Sequence, residues 1–269
     1  MEEMLQELYG KIAEYYSNRD FDGLEKYLIV KLRENAQTCI ACYNPFEVTI
    51  LNELGTLYRG LGRQKEAVEM FDSAASIIEQ RNGSENEEYA TAINNLAGAY
   101  RLDGQTAEAI RCFQKALDIY ERCGSRRSYL FSSAENNLGL VYLGMKDTKR
   151  AEACFLDALG IIRELREKNA EYAADLAVTY TNLASVYYYE QDPEKAINFC
   201  NKALTEYDVI PEQRQSHRGA VYNLLGDICR NQGKTEKAKN HYQTALAWTE
   251  KYFGRNYEYR RLQEKIDCL

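Results

Sequence analysis

Seven asparagines stand at one regular place along this chain. Asn52, Asn94, Asn95, Asn136, Asn137, Asn182 and Asn223 each fall one or two residues before a leucine, and those leucines recur at separations of 42, 42, 45 and 42. Asn costs roughly 0.6 kcal/mol relative to Ala inside a helix, so helix propensity does not explain its return. A primary amide carries both donors and acceptors. A row of amides on one face can therefore hydrogen-bond the backbone of an extended peptide without reading its side chains. The competing account is that each amide bonds a neighbouring segment and braces the fold, and both stay open. Arg59, Arg101 and Arg230 come seven residues after Asn52, Asn94 and Asn223, and Tyr188 holds the same place after Thr181. Arg forks onto carboxylates and Tyr offers a flat surface with a polar tip. Such a set would select a peptide with acidic and apolar groups, unless the arginines are taken up by local Glu or Asp.

Other chemistry finds little support. His217 and His241 lack Cys or carboxylate partners at metal-ligand spacing and read as surface residues. Cys39 and Cys42 form a single C-x-x-C; no second pair suggests zinc and no strand–turn–helix context suggests redox work, so two apolar-face cysteines one turn apart are expected. Gly-rich phosphate loops, G-x-S-x-G and zinc-protease motifs are missing from the sequence. No catalytic residue, metal or cofactor is expected, and the chain is not read as an enzyme.

The elements that position the amides are written in the repeat. Leu54, Leu96, Leu138, Leu183 and Leu225 are equivalent. Each is followed by a small residue: Gly55, Ala97, Gly139, Ala184 and Gly226. Four residues after the leucines stand Tyr58, Tyr100, Tyr142, Tyr187 and Cys229, on the same face of a first helix. A second helix carries Ala67, Ala109, Ala151, Ala196 and Ala238, then Ala74, Ala116, Ala158, Ala203 and Ala245. Between those alanines come Phe71, Phe113, Phe155, Cys200 and Tyr242, expected to fill the space between hairpins. Gly62, Gly104 and Gly233 mark where first helices stop, and Asp147 and Asp192-Pro193 offer caps where that glycine is missing.

Composition bounds the partners. The 269 residues carry a net charge of −7 with both signs interspersed, which argues against a phosphate-driven grip on nucleic acid. The acidic N-terminal MEEMLQELYG lacks the basic start and apolar run of a signal peptide, and no apolar run is long enough to span a membrane. Cys112, Cys154, Cys200 and Cys229 fall on apolar helical faces and read as free thiols, so a reduced, cytoplasmic setting is expected.

The pattern Leu-Gly-x-x-Tyr followed by Ala, Phe and Ala at set spacings resembles the tetratricopeptide repeat, matched from about Thr49 to Trp248. With Asn94-Asn95-Leu96-Ala97 and a period of 42 rather than 34, it is similar to the repeats of kinesin light chains and their bacterial relatives. The resemblance implies an all-α fold, a right-handed α-solenoid of antiparallel helix hairpins forming a single domain over 1–269. Five clear units would occupy 49–253, after a degenerate N-terminal hairpin in 1–48 and before a capping helix in 254–269. It also implies that the first helices line the concave face, where the family's Asn residues commonly hold peptide backbone. The family's clamp for acidic C-terminal peptides is not matched, because Gly10, Lys11, Thr49 and Glu53 stand near its positions. The implied function is a protein- or peptide-binding scaffold with no nucleic-acid or membrane partner. The alternatives are a self-associating scaffold, hence a homo-oligomer, and a peptide-sensing regulator of the bacterial receptor type.

Overall fold

The computed structural model describes residues 2–38 and 45–269. Cys39 and Cys42 lie outside the described residues. The fold is all-α: among the described residues the regular structure is α-helical, apart from the 3-10 turns Ala170–Tyr172 and Glu212–Arg214. The chain divides into two compact units, Met1–Arg126 and Arg127–Leu269.

The first unit contains α1 (Glu2–Asn18), α2 (Phe21–Thr38), α3 (Pro45–Gly60), α4 (Gln64–Asn82), α5 (Glu87–Leu102) and α6 (Thr106–Arg122). In the second are α7 (Tyr129–Gly144), α8 (Thr148–Lys168), α9 (Ala173–Tyr189), α10 (Pro193–Asp208), α11 (Arg218–Asn231), α12 (Thr235–Phe253) and α13 (Tyr257–Asp267). Helices pair as hairpins: α3 with α4, α5 with α6, α7 with α8, α9 with α10 and α11 with α12.

The repeated small residues are the places where paired helices close. A Cβ added at Gly55 would come 2.8 Å from the Phe71 ring, at Gly139 2.6 Å from Phe155, and at Gly226 2.4 Å from Tyr242. Each ring belongs to the same hairpin as its glycine. The antiparallel return brings each ring onto the small residue of its own first helix, and Phe71 also packs in one cluster with Leu96 and Ala99 of the next hairpin. The alanines on either side of the rings are fully buried.

Turn geometry follows the residue types. Gly62, Gly104 and Gly233 have φ of 77°, 80° and 71°, the left-handed conformation glycine tolerates. Lys146 and Gln191 hold the same turn position at φ 62° and 60°. Both precede a working cap: Asp147 accepts from the Arg150 N–H at 3.1 Å, and Asp192 from that of Lys195 at 3.0 Å, with Pro193 in the first turn.

Each unit closes one end of its own core. In the first, Leu8 and Ile12 of α1 and Leu24 and Leu28 of α2 pack with Phe46, Ile50 and Leu54. Glu25 stands where the repeat would have Ala; it accepts from the Tyr58 hydroxyl at 3.0 Å and from Arg63 Nη1 at 2.7 Å. In the second, α13 lays Leu262 on Cys229, Ala238, Tyr242 and Ala245. Cys200 and Cys229 are buried, while Cys112 and Cys154 are only half-buried at the helix margins.

Candidate functional site

In the first unit the expected residues sit on α3 and α5. Asn52 and Arg59 are seven residues apart on α3, as are Asn94 and Arg101 on α5, so each amide shares a helix face with its arginine about 10 Å away. Asn94 is only 8% exposed. Its Oδ1, the Oδ1 of half-buried Asn52 and the Nε of Arg101 are buried with no hydrogen-bond partner among the described residues. Buried polar groups without a partner are uncommon and costly, which makes three on two helices informative. Asn95 is half-buried beside Asn94.

Arg59 reaches from α3 across to α5. Its guanidinium carbon lies 5.7 Å from the Phe71 ring centre, and a Cβ on Gly98 would stand 3.5 Å from its Nη1. Burial holds both guanidiniums below the ordinary arginine value, and the charge of Arg59 presses Arg101 down further. The Tyr16 hydroxyl also acts on Arg59, and neither arginine forms an ion pair among the described residues. Glu53, on the same helix as Arg59, has its carboxyl lifted above the usual range by burial alone.

In the second unit Asn136, Asn182, Asn223, Tyr188 and Arg230 have partners within the chain. Asn136 of α7 donates to Thr179 Oγ1 at 2.9 Å and accepts from Asn182 Nδ2 at 3.2 Å, tying α7 to α9. Asn223 of α11 accepts from Lys265 Nζ at 2.7 Å and donates to Glu258 at 3.3 Å, tying α11 to α13. Tyr188 takes a hydrogen bond from Asn231 Nδ2 at 3.1 Å. Arg230 lies 3.7 Å from Asp227, which also accepts from Lys265 at 2.8 Å and from the Tyr242 hydroxyl at 2.7 Å. Asn137 lines a cavity of about 240 Å³ with Ser133 and Asn182.

The tetratricopeptide repeat model matches residues 46–122, 130–207 and 175–251. The chain belongs to the tetratricopeptide repeat family. A crystal structure of BtubC (BKLC) from P. vanneervenii is 26% identical and superimposes with a TM-score of 0.66 over 76% of this chain and 80% of that one. A putative kinesin light chain from Podosopora anserina, with nearly identical TPR-like repeats, is 18% identical with a TM-score of 0.60 over 78% of this chain and 98% of that one. A tetratricopeptide repeat protein from Parabacteroides merdae, 20% identical, gives 0.50 over 97% of both chains. Among curated proteins none matches the chain. Tetratricopeptide repeat proteins generally serve as scaffolds for protein–protein interaction.

Two residues of this repeat protein escaped the sequence reading. Tyr129 donates its hydroxyl to Asp175 Oδ1 at 3.1 Å, and both line the cavity beside Asn136 and Asn137. Burial, then the Asp175 charge, pushes the Tyr129 hydroxyl up to about 12, and burial lifts the Asp175 carboxyl. The signal was present: Tyr129 precedes Asn136 by seven residues and Asp175 precedes Asn182 by seven. The spacing that picked out the arginines after the amides also runs backwards along the same face.

Among the described residues no cluster of His, Cys, Asp and Glu is suited to a metal ion. No described helix is long and apolar enough to cross a membrane.

Proposed function

We propose that this repeat protein is a binding scaffold that holds an extended segment of a partner protein on the α3–α5 face of its first unit. The observation that supports this reading is the set of buried, unpartnered amide oxygens at Asn52 and Asn94. An amide oxygen accepts backbone N–H groups, which an extended segment presents at every second residue on one side. The amides of the second unit have a different role in this reading: Asn136, Asn182 and Asn223 brace helices and contribute little to capture.

An array of random twelve-residue peptides tests it. The wild-type chain should retain a subset of peptides, and the Asn52→Ala/Asn94→Ala double variant should lose most of that signal with helical circular dichroism unchanged. Equal retention by the two proteins defeats the reading.

A further inference from the structure

The amide brace between α7 and α9 makes no use of Tyr129 or Asp175, yet both line the cavity of about 240 Å³ beside it. The hydrogen-bonding groups of that cavity are biased towards acceptors. The Tyr129 hydroxyl gives its proton to Asp175 Oδ1 at 3.1 Å, so its oxygen is left to accept. Asn182 commits its amide nitrogen to Asn136 Oδ1 at 3.2 Å, which leaves its oxygen. Asp175 itself offers about four lone-pair directions, of which Tyr129 takes one. Ser133 and Asn137 serve as donor or acceptor. Asp175 is half-buried and makes no ion pair among the described residues. Arg214, whose charge reaches it, is held instead by the Glu171 carbonyl at 2.8 Å. His217 also lines the cavity, and burial keeps it below its ordinary value, hence uncharged at neutral pH. The repeat shows what the same position does when it faces water. Asp175 stands eight residues before Leu183, and eight before Leu96 is Glu88, exposed and bonded by Asn82 Nδ2 at 2.7 Å. Leu140, Ala174 and Val178, all half-buried, add an apolar wall to the cavity.

We infer that this cavity binds a primary ammonium group carried on an unbranched alkyl chain, the chemistry of a lysine side chain or of a free alkyl amine. An ammonium has three donors and no acceptor, which matches in number the oxygens that Asp175, Tyr129 and Asn182 have to offer. A guanidinium is served less well. Its planar fork pairs with both oxygens of a carboxylate, and Tyr129 already occupies one of them. The methylenes of the ligand have Leu140, Ala174 and Val178 to lie along, as lysine stems lie along apolar surface. Burial weakens the screening by water and salt, so a cation that enters is held more firmly than one at an exposed carboxylate such as Glu88. The site belongs wholly to the second unit and stands whether or not the α3–α5 face holds a peptide.

The test is an NMR titration of the isotope-labelled full chain with butylamine and with three blocked glycine pentapeptides, whose central residue is lysine, Nε-acetyl-lysine or arginine. The lysine peptide should shift the backbone amide signals of Tyr129, Asp175 and Asn182 and bind at least tenfold more tightly than the acetyl-lysine peptide. Asp175→Asn, nearly identical in shape, should remove that difference without lowering the melting temperature, because it takes away a half-buried charge that has no ion-pair partner. Ser133→Phe should abolish binding with the carboxylate intact, by filling the cavity from a half-buried position on its wall. The amine separates the two sources. Butylamine binding as tightly as the lysine peptide shows that a free alkyl amine suffices, and a peptide at least tenfold tighter assigns the site to a lysine of a partner protein; either supports the ammonium pocket. Equal binding of the lysine and acetyl-lysine peptides overturns it, as do tighter binding of the arginine peptide, shifts that leave the cavity residues unmoved, and a lysine preference that survives Asp175→Asn.

Discussion

In α5 the residue two positions after the key leucine is Gly98, and in α11 it is Asp227. Around Gly98 lie Arg59 and Arg101, with no ion pair to either among the described residues; around Asp227, Lys265, Arg230 and the Tyr242 hydroxyl converge. The amides divide in the same way. Asn94 Oδ1 is buried and unpartnered, whereas Asn136 bonds Thr179 and Asn182. Both units are built on one packing frame, yet Asn94 and Arg101 beside that frame have polar atoms left open, while Asn136, Asn223 and Arg230 are closed. A repeat motif therefore locates the face and says little about whether the face is used to bind or to brace.

The largest effect expected from breaking this contrast is in the second unit. Asp227→Ala removes the acceptor for Tyr242 and Lys265 and leaves a nearly buried ammonium without its charge partner; a loss of about 3 kcal/mol is expected in urea unfolding. A loss below about 1 kcal/mol would show that Asp227 is not the hub described above. Next comes the direct comparison of amides. Asn136→Ala leaves Asn182 Nδ2 without its acceptor and Thr179 with only its bond to the Asp175 carbonyl, and should cost about 1–2 kcal/mol, while Asn94→Ala should be neutral or slightly stabilising. Equal losses at the two positions would erase the distinction between the units.

A smaller effect separates two carboxyls of the first unit by their response to pH. Hydrogen bonding to Arg63 holds Glu25 below the usual carboxylate range. Its contribution is therefore full above the unfolded-state pKa of about 4.3 and fades as pH falls through the lower folded value. For this partly exposed pair it amounts to about 0.5–1 kcal/mol, absent in Glu25→Gln. Glu53 has the opposite sign: burial raises its carboxyl, so its ionisation weakens the fold as pH rises through the raised value. Glu53→Gln should accordingly be more stable than wild type at neutral pH and no more stable in acid. Chemical denaturation at pH 3 to 7 reads both. The smallest effect lies in the turns, where α3–α4 and α5–α6 use Gly62 and Gly104 but α7–α8 and α9–α10 place Lys146 and Gln191 at φ near 60°. Lys146→Gly and Gln191→Gly should each gain about 0.5 kcal/mol, measured as a small rise in melting temperature.

The packing frame was readable before any coordinates because volume limits it so tightly. Ala109, Ala151 and Ala196 are fully buried, and the contacts of Gly55, Gly139 and Gly226 with their rings leave no space for a larger residue. Such positions tolerate one kind of side chain, so they recur and announce the hairpins. Arg59 and Arg230 show where this stops. They are the same residue at the same offset, and what distinguishes them is a partner on the helix, Asp227 in one case and a glycine on the next hairpin in the other. Asn136 is closed by Thr179, which is 43 residues away and takes part only because the hairpins stack in that register. Partners at that distance belong to the assembled helices and leave no trace in local spacing.

The way α13 is attached has a consequence for how the chain comes apart. Leu262 is its one buried residue, half-buried Ile266 packs on the same cluster, and polar contacts to α11 come from Lys265 with Asn223 and Asp227 and from Glu258 with Asn223. So little apolar area makes this helix the natural place for peeling below the threshold of global unfolding. When it lifts, Arg260, Arg261 and Lys265 become sites for trypsin, and Cys229, Ala238, Tyr242 and Ala245 lose the leucine that covers them. A clipped chain would keep its hairpins while presenting a fresh apolar surface, so early proteolysis at these three residues and the onset of self-association should keep the same clock.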